Sequence, residues 1–448
     1  MTKEIQQETI RGIALRAKAL GGRAMLVGGC VRDALTGRQS ADIDCEVYGL
    51  APQALRSLAA EFGEVDESGA RYGIFSLKGA GIDLAVPRLE RRTGPKHGDF
   101  DVRLDPALPF ARAAARRDFT VNAILRDALT GKIVDPFGGQ ADLRRGVLRA
   151  VPGDGFAEDP LRVLRGAQFA ARFRLSPDAE TLEKMRMMKT DALSPARVLG
   201  EMKKAMASDA PDVFFDVLRR ADALRPWFGE LAALIGVPQP PRYHPEGDAY
   251  THSMRVLHAA AQKKAQALRP EAFVFAALTH DLGKAVSTAR GEDGEWHACG
   301  HENTGVPLMR AMLGRLGVNR EIIAYCENMC RLHMRAHVCH YRQAETGETN
   351  LLFDESVCPN DLALLAVCDT LGKGSASGGA AGEEAFLTGR VWVYEETAAR
   401  GLPDGGMLLA AGMEPGPQLA EALAAARRRA LTGETAEEAV QNVLRKRK

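Results

Sequence analysis

The segment MLVGGCVRDALTGRQSADIDCEV, residues 25–47, combines an apolar run, a glycine turn and spaced aspartates. The run that ends in Gly28 and Gly29 is typical of a β-strand that enters a turn and then a helix. A second strand is predicted around Asp42 and Asp44, and residues two apart in a strand face the same way. We therefore expect both aspartates to project together from a sheet, beside a turn whose backbone N–H groups can bind phosphate.

The chemistry that this pattern favours is phosphoryl transfer with a divalent cation. Carboxylates on one strand face repel each other unless a cation neutralises them, and Mg²⁺ prefers oxygen ligands. Arg32 adds a forked donor that suits triphosphate oxygens. Asp83, in GIDLAVPR, is a further candidate on the strand face opposite Ile82 and Leu84. From the pattern alone, an exposed polar strand face explains these aspartates equally well.

Length and composition describe a large globular protein. The chain has 448 residues, 46% of them hydrophobic, which predicts about three domains with sizeable cores. No apolar run is long enough to span a bilayer, and the polar start lacks a signal-peptide centre, so we expect a cytoplasmic protein. The eight cysteines have irregular spacing and no CxxC pair, which predicts reduced thiols. With a net charge of +1, nucleic-acid binding requires local basic patches.

The character of the sequence changes along the chain and divides it into four predicted parts. Residues 1–150 alternate short strands with helices and predict an α/β head, and residues 151–238 predict a helical neck and body. Residues 239–375 hold most of the histidines and follow a proline cluster, while 376–448 predict a helical tail. The run GKGSASGGAAGEE, residues 372–384, is predicted to be a flexible linker or loop.

The motif ARRDFTVNAI, residues 115–124, concentrates basic, acidic and amide side chains. Arg117, Asp118 and Asn122, together with Arg116, offer the groups that hold a triphosphate and read ribose hydroxyls. Taken alone, the motif fits a helix start with charged neighbours better.

The motif AEDPLRVLRGAQFAARF, residues 157–173, opens a predicted helix at a proline. Asp159 and Arg162 are three residues apart, so one helix face is expected to carry both an acceptor and a forked donor, with Arg165 continuing it. Such a pair can hydrogen-bond the edge of a base. Without context, an intrahelical salt bridge is the better interpretation.

In their order, these motifs resemble the class II nucleotidyltransferases, specifically the tRNA nucleotidyltransferases, or CCA-adding enzymes. The resemblance covers roughly the first 210 residues and rests on GGCVRD, ADID, RRDFTVNAI, DPFGG, EDPLRVLRGAQFAARF and SPARVLGEMKKA. It implies a polymerase-β-type mixed-sheet head followed by an all-α body. It also implies template-independent addition of C, C and A to the 3′ end of tRNA, with CTP, ATP and tRNA as partners.

The resemblance implies roles for single residues. Asp42 and Asp44 would hold Mg²⁺, and Asp159 with Arg162 would act as an amino-acid template for CTP and ATP, with Arg165 alongside. The residues that would contact the nucleotide are Gly28, Gly29, Arg32, Arg117, Asp118 and Asn122. Of these, Asp118 and Asn122 would help to select a ribonucleotide. The sequence departs from the family pattern where Ala196 precedes Arg197 and where Ala150 replaces a common histidine, although Glu201 is retained. These departures weaken the assignment of neck residues that tune base selection.

A second set of motifs lies in the histidine-rich block. DAYTHSMRVL (248–257), LTHDLGKA (278–285), GHENTG (300–305) and VCDTLG (367–372) occur in this order. The polar pair at the end of FVFAALTHD would be costly to bury without a partner, and imidazole and carboxylate ligands suit Ni²⁺, Mn²⁺ or Zn²⁺.

The ordered set resembles the HD phosphohydrolase domain that one branch of bacterial CCA-adding enzymes carries. The residues that match its ligand pattern are His252, His280, Asp281 and Asp369, and His301 and His333 match further histidines of that branch. The resemblance implies a metal-dependent phosphatase or cyclic phosphodiesterase that acts on phosphate-ended nucleotides or RNA. A structural relic that packs the body is the alternative.

Several functional alternatives stay open from the sequence. A partial enzyme that adds only CC or only A depends on a head loop within residues 91–110, and a poly(A) polymerase shares the head. A nucleotide-sensing RNA-binding protein has no need of paired carboxylates. The basic runs Arg427–Arg429 and Lys446–Lys448 can touch RNA phosphates or form solvated helix faces. The oligomeric state, monomer or dimer, is open.

Overall fold

The computed structural model describes residues 2–92, 100–374 and 378–446, and the chain forms two compact units. The first unit comprises Met1–Ser194 and Asp216–Ala223, and the second comprises Pro195–Phe215 and Leu224–Lys448. The four-part division stays a prediction. Part of the head loop within 91–110 and the last two residues, Arg447 and Lys448, lie outside the described residues.

The first unit is built on a mixed seven-stranded sheet with strand order β3-β4-β5-β2-β1-β8-β9. Strand β2 runs antiparallel to β1 and parallel to β5, and β6 pairs with β7 outside this sheet. The strands are β1 (Arg23–Val27), β2 (Ile43–Tyr48), β3 (Val65–Asp66), β4 (Ile74–Leu77), β5 (Ile82–Ala85), β6 (Arg88–Arg92), β7 (Phe100–Leu104), β8 (Leu125–Asp127), β9 (Ile133–Val134), β10 (Val147–Leu148) and β11 (Ser176–Pro177).

The helices of the first unit cover and extend this sheet. They are α1 (Lys3–Ala19), α2 (Gly29–Leu35), α3 (Pro52–Ala60), α4 (Phe110–Ala114), α5 (Gly139–Arg145), α6 (Leu161–Phe173) and α7 (Ala179–Arg186). Short 3₁₀ turns span Ala70–Tyr72, Thr120–Asn122 and Asp154–Glu158. The α/β head with a mixed sheet that the sequence predicts is confirmed.

Strand alternation decides which face of the sheet carries the polar residues. In β2, Cys45 and Val47 join the core that α1 and α3 cover, so Asp44 and its neighbours two residues away lie on the opposite face. In β5, Ile82 and Leu84 join the same core, which leaves Asp83 on the face that carries Asp44. Helices α1 and α3 cover one side of the sheet, and the other side carries these carboxylates beside a second apolar core that includes Met25, Val27 and Leu125.

The second unit is helical. Its helices are α8 (Pro195–Met206), α9 (Asp212–Arg220, shared with the first unit), α10 (Gly229–Ala232), α11 (Ala249–Lys263), α12 (Pro270–Thr279), α13 (Lys284–Ser287), α14 (His301–Leu316), α15 (Arg320–Tyr341), α16 (Thr346–Glu355), α17 (Pro359–Gly372), α18 (Gly378–Ala399), α19 (Gly405–Ala410), α20 (Pro417–Leu431) and α21 (Ala436–Arg445). A 3₁₀ turn spans Lys264–Gln266, and a small hairpin pairs β12 (Ala289–Arg290) with β13 (Trp296–His297).

The predicted linker at residues 372–384 is wrong over its described second half. Helix α18 begins at Gly378, so residues 378–384 are helical despite their glycines. The buried Glu383 in this stretch accepts hydrogen bonds from α15 and α17, and tertiary packing of this kind outweighs low helix propensity. The tail beyond it is helical, as predicted, and α19, α20 and α21 share one apolar core.

The cysteines and the hydropathy pattern agree with the sequence predictions. All eight cysteines fall within the described residues and are free thiols. Among those residues, none of the helices is long and apolar enough to cross a membrane.

Candidate active sites

The predicted carboxylates lie near one another on the sheet face opposite α1 and α3. Asp44 pairs in register with Asp83 on the parallel neighbour strand, so the two side chains share a face. Asp42 lies immediately before β2 and is exposed, as Asp44 is. The pKa of Asp44 is raised, first because protein atoms displace water around it and then because Asp83 and Asp42 add like charge, while Arg117 opposes the shift. Such a cluster favours a bound cation.

The glycine turn lies against this cluster. Gly28 has φ 72° and ψ −133°, a conformation that favours glycine. A Cβ at this position would lie 2.9 Å from Nη1 of Arg117 and 3.5 Å from Oδ2 of Asp44. The turn, the arginine and the carboxylate are therefore in close approach, as a phosphate site next to a cation site requires.

Glu46 binds the two arginines of the motif ARRDFTVNAI, residues 115–124. Its side chain is 2% exposed, and Oε1 accepts hydrogen bonds from Arg116 at 2.7 Å and Arg117 at 3.0 Å. Tyr48 donates to Oε2 at 2.9 Å. Burial alone would raise the pKa of Glu46, but Arg117 and Arg116 hold it below its ordinary value. Glu46 therefore remains a carboxylate that fixes Arg117 beside Gly28.

A continuous hydrogen-bond chain links the remaining head candidates. Nε of Arg165 donates to Oδ2 of Asp118 at 2.7 Å, and Oδ1 of Asp118 accepts from Asn122 at 2.9 Å. Oδ1 of Asn122 then accepts from Arg32 at 2.6 Å, and Arg32 also pairs with Asp33 at 2.7 Å. Residues from separate motifs, distant in sequence, thus form one network.

Arg32, a predicted triphosphate ligand, lies inside this network. Its side chain is buried, and its guanidinium lies 4.0 Å from the ring centroid of Phe173. Burial lowers the pKa of Arg32, and Asp33 partly restores it. In this arrangement Arg32 donates a hydrogen bond to Asn122. Its other N–H groups are the ones that can contact a nucleotide.

The expectation that Asp159 and Arg162 share a helix face is wrong. Asp159 has φ −127° and ψ 107°, and α6 begins only at Leu161, because a residue before proline is excluded from helical geometry. Oδ1 of Asp159 accepts from the backbone N–H of Leu161 at 3.0 Å. Arg162 donates to the carbonyl oxygens of Gly155 and Arg116. Arg165 pairs with Asp118 rather than continuing a common face.

The neck candidates lie on α8 in the second unit. Arg197 is partly buried, and Glu201 is buried with Oε1 2.8 Å from Nζ of Lys204. The geometry shows a local ion pair there and assigns neither residue to nucleotide selection.

The histidine block folds into one buried cluster in the second unit. Oδ2 of Asp281 lies 3.2 Å from Nε2 of His280. Oδ1 of Asp281 lies 3.1 Å from Nε2 of His301 and 3.6 Å from Nε2 of His333. Asp369 has Oδ1 2.8 Å from Nε2 of His252. All six candidates from the sequence are therefore brought together.

Every histidine in the cluster uses Nδ1 on an acceptor and directs Nε2 to the centre. The acceptors are the backbone oxygens of Ala277, Ala298 and Cys330 for His280, His301 and His333, at 2.9, 2.7 and 2.7 Å. Nδ1 of His252 lies 2.7 Å from Oε1 of Glu246. An acceptor at Nδ1 places the proton there and leaves the Nε2 lone pair for a cation.

The centre of the cluster has the orphaned atoms of a metal site. Buried polar atoms without a hydrogen-bond partner include Nε2 of His252 and His280, Oδ2 of Asp281 and Oδ1 of Asp369. Leaving such buried atoms unpaired would be costly, although Oδ2 of Asp281 also lies 2.7 Å from Nζ of Lys284. With their neighbours, these residues form three groups among the described residues that could each hold an ion: His252–His280–Asp369, Asp281–His301–His333 and His244–Glu246–His252. The donor set therefore fits divalent transition metals.

Cations and a cavity complete this site. Burial would raise the pKa of both aspartates, but His280 with Lys284, and Lys373 with His337, hold the pKa of Asp281 and of Asp369 well below the ordinary value. A cavity of about 670 Å³ opens on the cluster, a size that suits a nucleotide-sized ligand. Its lining includes Lys284, His301, Asp369, Lys373, Tyr243 and Trp296.

Sequence reasoning missed residues that complete the cluster. Nε2 of His337 contacts Oδ2 of Asp369, and its Nδ1 lies 2.8 Å from Oε1 of Glu383. His337 follows His333 by four residues on α15, a spacing that puts both on one helix face and offered a signal. Glu246 and Glu383 carried no such signal, because each comes from a segment outside the histidine motifs.

Comparison with known proteins assigns families along the chain. Residues 24–149 match the poly A polymerase head domain, residues 174–235 the probable RNA and SrmB-binding site of polymerase A, and residues 249–371 the HD domain. A multifunctional CCA protein of Nitrosococcus oceani is 42% identical over 318 residues, 70% of this chain and 74% of the relative. One of Xanthomonas campestris pv. campestris is 37% identical over 417 residues, 90% of this chain and 96% of the relative.

The chain belongs to the multifunctional CCA protein family. Solved structures share the fold that this membership implies. A CCA-adding enzyme in an apo form matches with a TM-score of 0.67 at 19% identity, over 100% of this chain and 96% of that one. The Thermotoga maritima CCA-adding enzyme complexed with tRNA matches with a TM-score of 0.63 at 19% identity, over 98% and 95%. The predicted family, the CCA-adding enzymes that carry an HD domain, and the predicted fold, a mixed-sheet head followed by a helical HD-containing body, are confirmed.

Proposed function

We propose that the chain adds C, C and A to the 3′ end of tRNA from CTP and ATP. The observation that carries the proposal is the approach of Asp44 to Asp83, to Asp42 and to the Gly28 turn with Arg117 beside it. Relatives named multifunctional CCA proteins, and similar folds solved with ATP, CTP and tRNA, support the same reaction. Action on tRNA implies a cytoplasmic location.

Each head residue has a distinct role in this proposal. Asp42 and Asp44 would hold Mg²⁺, which would supply charge neutralisation at the phosphates. The backbone of Gly28 and Gly29 approaches the triphosphate, and Arg117 contacts its oxygens. Asp118 and Asn122 bind the ribose.

Base selection is assigned to Asp159 and Arg162. A carboxylate accepts from the amino group of cytosine or adenine, and a guanidinium donates to the ring nitrogen. Arg162 has two backbone carbonyl acceptors, which hold its plane in place while other N–H groups stay available for a base. Uracil sets O4 against the carboxylate, and such a mismatch is costly in a buried site.

The decisive experiment for the head uses Asp44→Asn on tRNA transcripts that end before, within and after CC, each with CTP, ATP or both. We expect incorporation to fall by more than about 100-fold, since even changes to outer-shell groups cost 10- to 100-fold. Asp66→Asn is the control, because Asp66 lies on an edge strand of the same sheet, where its side chain accepts a hydrogen bond from the backbone N–H of Ser68. Wild-type incorporation by Asp44→Asn would contradict the proposal.

The same transcripts separate full addition from its alternatives. Wild-type protein should extend each end only to CCA and then stop. Arrest after CC, or activity only on ends that already carry CC, identifies a partial enzyme, and continued addition of A identifies a poly(A) polymerase.

A second activity is proposed for the HD site. His252, His280, Asp281 and Asp369, with His301 and His333, would hold Ni²⁺, Mn²⁺ or Zn²⁺, and such an ion would supply Lewis-acid chemistry for phosphate hydrolysis. The cavity beside Lys284 and Lys373 takes a phosphate-ended nucleotide or RNA. The observation behind this activity is the set of orphaned buried atoms, which a purely structural domain would leave unpaired.

A further inference from the structure

Two buried glutamates flank the HD cluster from outside its motifs. Glu246 lies in the loop before α11 with no exposed side-chain surface, and Glu383 lies on α18 with 2% exposed. Removing a carboxylate from water is costly unless partners compensate. Here the partners are ring nitrogens of the cluster, so the two glutamates are tied to its geometry.

Each glutamate holds one histidine by Nδ1. Oε1 of Glu246 lies 2.7 Å from Nδ1 of His252, and Oε1 of Glu383 lies 2.8 Å from Nδ1 of His337. The opposite nitrogens of both rings converge on one carboxylate. Nε2 of His252 lies 2.8 Å from Oδ1 of Asp369, and Nε2 of His337 contacts Oδ2.

Glu383 also fixes the helix that carries this carboxylate. Its Oε2 accepts from the hydroxyl of Thr370 at 2.6 Å, and Thr370 follows Asp369 on α17. One buried side chain therefore connects α15, α17 and α18 next to the cluster. Glu246 similarly shares Oε1 with His244, whose Nδ1 is 2.8 Å away and which lines the cavity.

The remaining cluster histidines are oriented by backbone carbonyls, which no side-chain substitution removes. His252 and His337 depend instead on the glutamates. A neutral imidazole has one N–H, and an acceptor at Nδ1 selects the tautomer that leaves Nε2 as a donor of its lone pair. Loss of the acceptor frees both the ring rotation and the tautomer.

We propose that Glu246 and Glu383 are positioning residues of the HD site, which orient His252 and His337 so that both Nε2 atoms face Asp369. The proposal rests on the metal-dependent function proposed for the second unit. It assigns to the loop before α11 and to α18 a part in metal binding that lies outside the histidine motifs.

The test is Mn²⁺ binding by the full-length protein, measured by titration calorimetry with the wild-type glutamates and with Gln and Ala at both positions, each in an Asp44→Asn background that removes the cation site proposed for the head. Glu246→Ala and Glu383→Ala should weaken Mn²⁺ binding by about 10- to 100-fold. The Gln variants should fall in between, because an amide oxygen still accepts from Nδ1. The absorption spectrum of the Co²⁺-loaded protein should change in the same order, as a reporter of ligand arrangement.

Glu384→Gln is the matched control. Glu384 neighbours Glu383 on α18, but its side chain is 41% exposed and pairs with Lys263 at 2.9 Å. Its Mn²⁺ affinity and Co²⁺ spectrum should equal those of wild type. Nucleotide addition, measured for each change in a chain that keeps Asp44, should be unchanged, which verifies that the first unit is folded, and the thermal unfolding curve reports on the second.

Distinct outcomes separate failure of this proposal from failure of the proposed function. If wild type binds Mn²⁺ but the variants bind it equally well, or lose only thermal stability, the glutamates are structural and the positioning role is refuted. If wild type itself binds neither Mn²⁺ nor Co²⁺, the metal site is absent and both proposals fail. If an Ala variant does not fold, the corresponding Gln variant decides by the same criteria.

Discussion

At the scale of single residues, Gly28 shows how tightly the head cluster is packed. Its positive φ and the 2.9 Å approach to Arg117 leave no room for a side chain. Alanine there must displace either the backbone turn or the guanidinium, and small displacements of reacting groups cost on the order of 100-fold in rate.

Gly28→Ala should therefore reduce CMP incorporation by roughly 100-fold. Gly37→Ala is the control, since Gly37 also has a positive φ, 70°, but a Cβ there would meet nothing within 4 Å. The measurement is single-turnover incorporation on tRNA that lacks CCA. Equal losses in the two variants would mean that backbone strain, and not contact with Arg117, limits activity.

Asp159 allows a second test at this scale. Asp159→Ala should raise incorporation of UMP and GMP relative to CMP and AMP, because the carboxylate that rejects O4 of uracil is gone. The control is Asp154→Ala, which removes an exposed carboxylate at the start of the preceding 3₁₀ turn. This variant should keep wild-type selectivity. A uniform loss with all four nucleotides would assign Asp159 only to capping the start of α6.

The sequence predicts the site residues well where several charged or polar side chains lie in one short motif, and less well elsewhere. Asp44 and Asp83 follow from strand alternation, since their neighbours in sequence are apolar. The pairing of Arg165 with Asp118 depends on tertiary contact between segments 47 residues apart. Glu246 and Glu383 become visible only when the helices are packed.

At the scale of elements, the β8–β9 turn shows how a carboxylate stabilises the sheet that carries the site. Oδ1 of Asp127 accepts from the backbone of Leu129 and Thr130 at 3.0 and 2.8 Å, and Oδ2 pairs with Arg23 at 2.7 Å. Burial opposes ionisation, but these donors lower the pKa of Asp127 to about 2. The folded state therefore favours the charged carboxylate.

Asp127→Asn should lower the free energy of unfolding at pH 7 by about 1–2 kcal/mol. Because the folded pKa lies below the unfolded value, this contribution is present above about pH 4 and is lost as the pH falls towards 2. Urea denaturation at pH 7 and pH 2.5 measures both effects, with the exposed Asp101→Asn on β7 as the control. A stability gap that stays constant with pH would contradict the charge argument.

Element boundaries were predictable to the extent that local rules decide them. The strands around the first motif were found because glycine turns end them, whereas β8 was not singled out because its segment continues from a polar motif. Pro160 delays the start of α6 and so removes Asp159 from the helix. The first turns of α18 form in a glycine-rich run because Glu383 is held by other helices.

At the scale of the whole molecule, the two proposed sites belong to different compact units. The carboxylates of the head lie in the first unit and the histidine cluster lies in the second, and the two clusters have no residue in common. The separation of the motif sets in sequence predicts the same independence. Chemistry at one site should therefore survive removal of the other.

Asp44→Asn should abolish nucleotide addition and leave Mn²⁺-dependent hydrolysis of a 2′,3′-cyclic nucleotide unchanged, while Asp281→Asn should do the reverse. Asparagine keeps the volume of each side chain, so the change removes mainly charge. In the HD site it leaves Lys284, 2.7 Å from Oδ2 of Asp281, without its carboxylate, so a lower melting temperature is expected there.

Both rates are measured on the same preparations at a temperature where each variant is folded, with the unfolding curve as the reference. Independent sites give two complementary losses, because neither variant touches a ligand or a hydrogen-bond partner of the other cluster. If Asp281→Asn lowers CMP incorporation in proportion to hydrolysis while the protein remains folded, the sites are coupled. The second unit would then take part in nucleotide addition itself, and the division of chemistry between the units would be wrong.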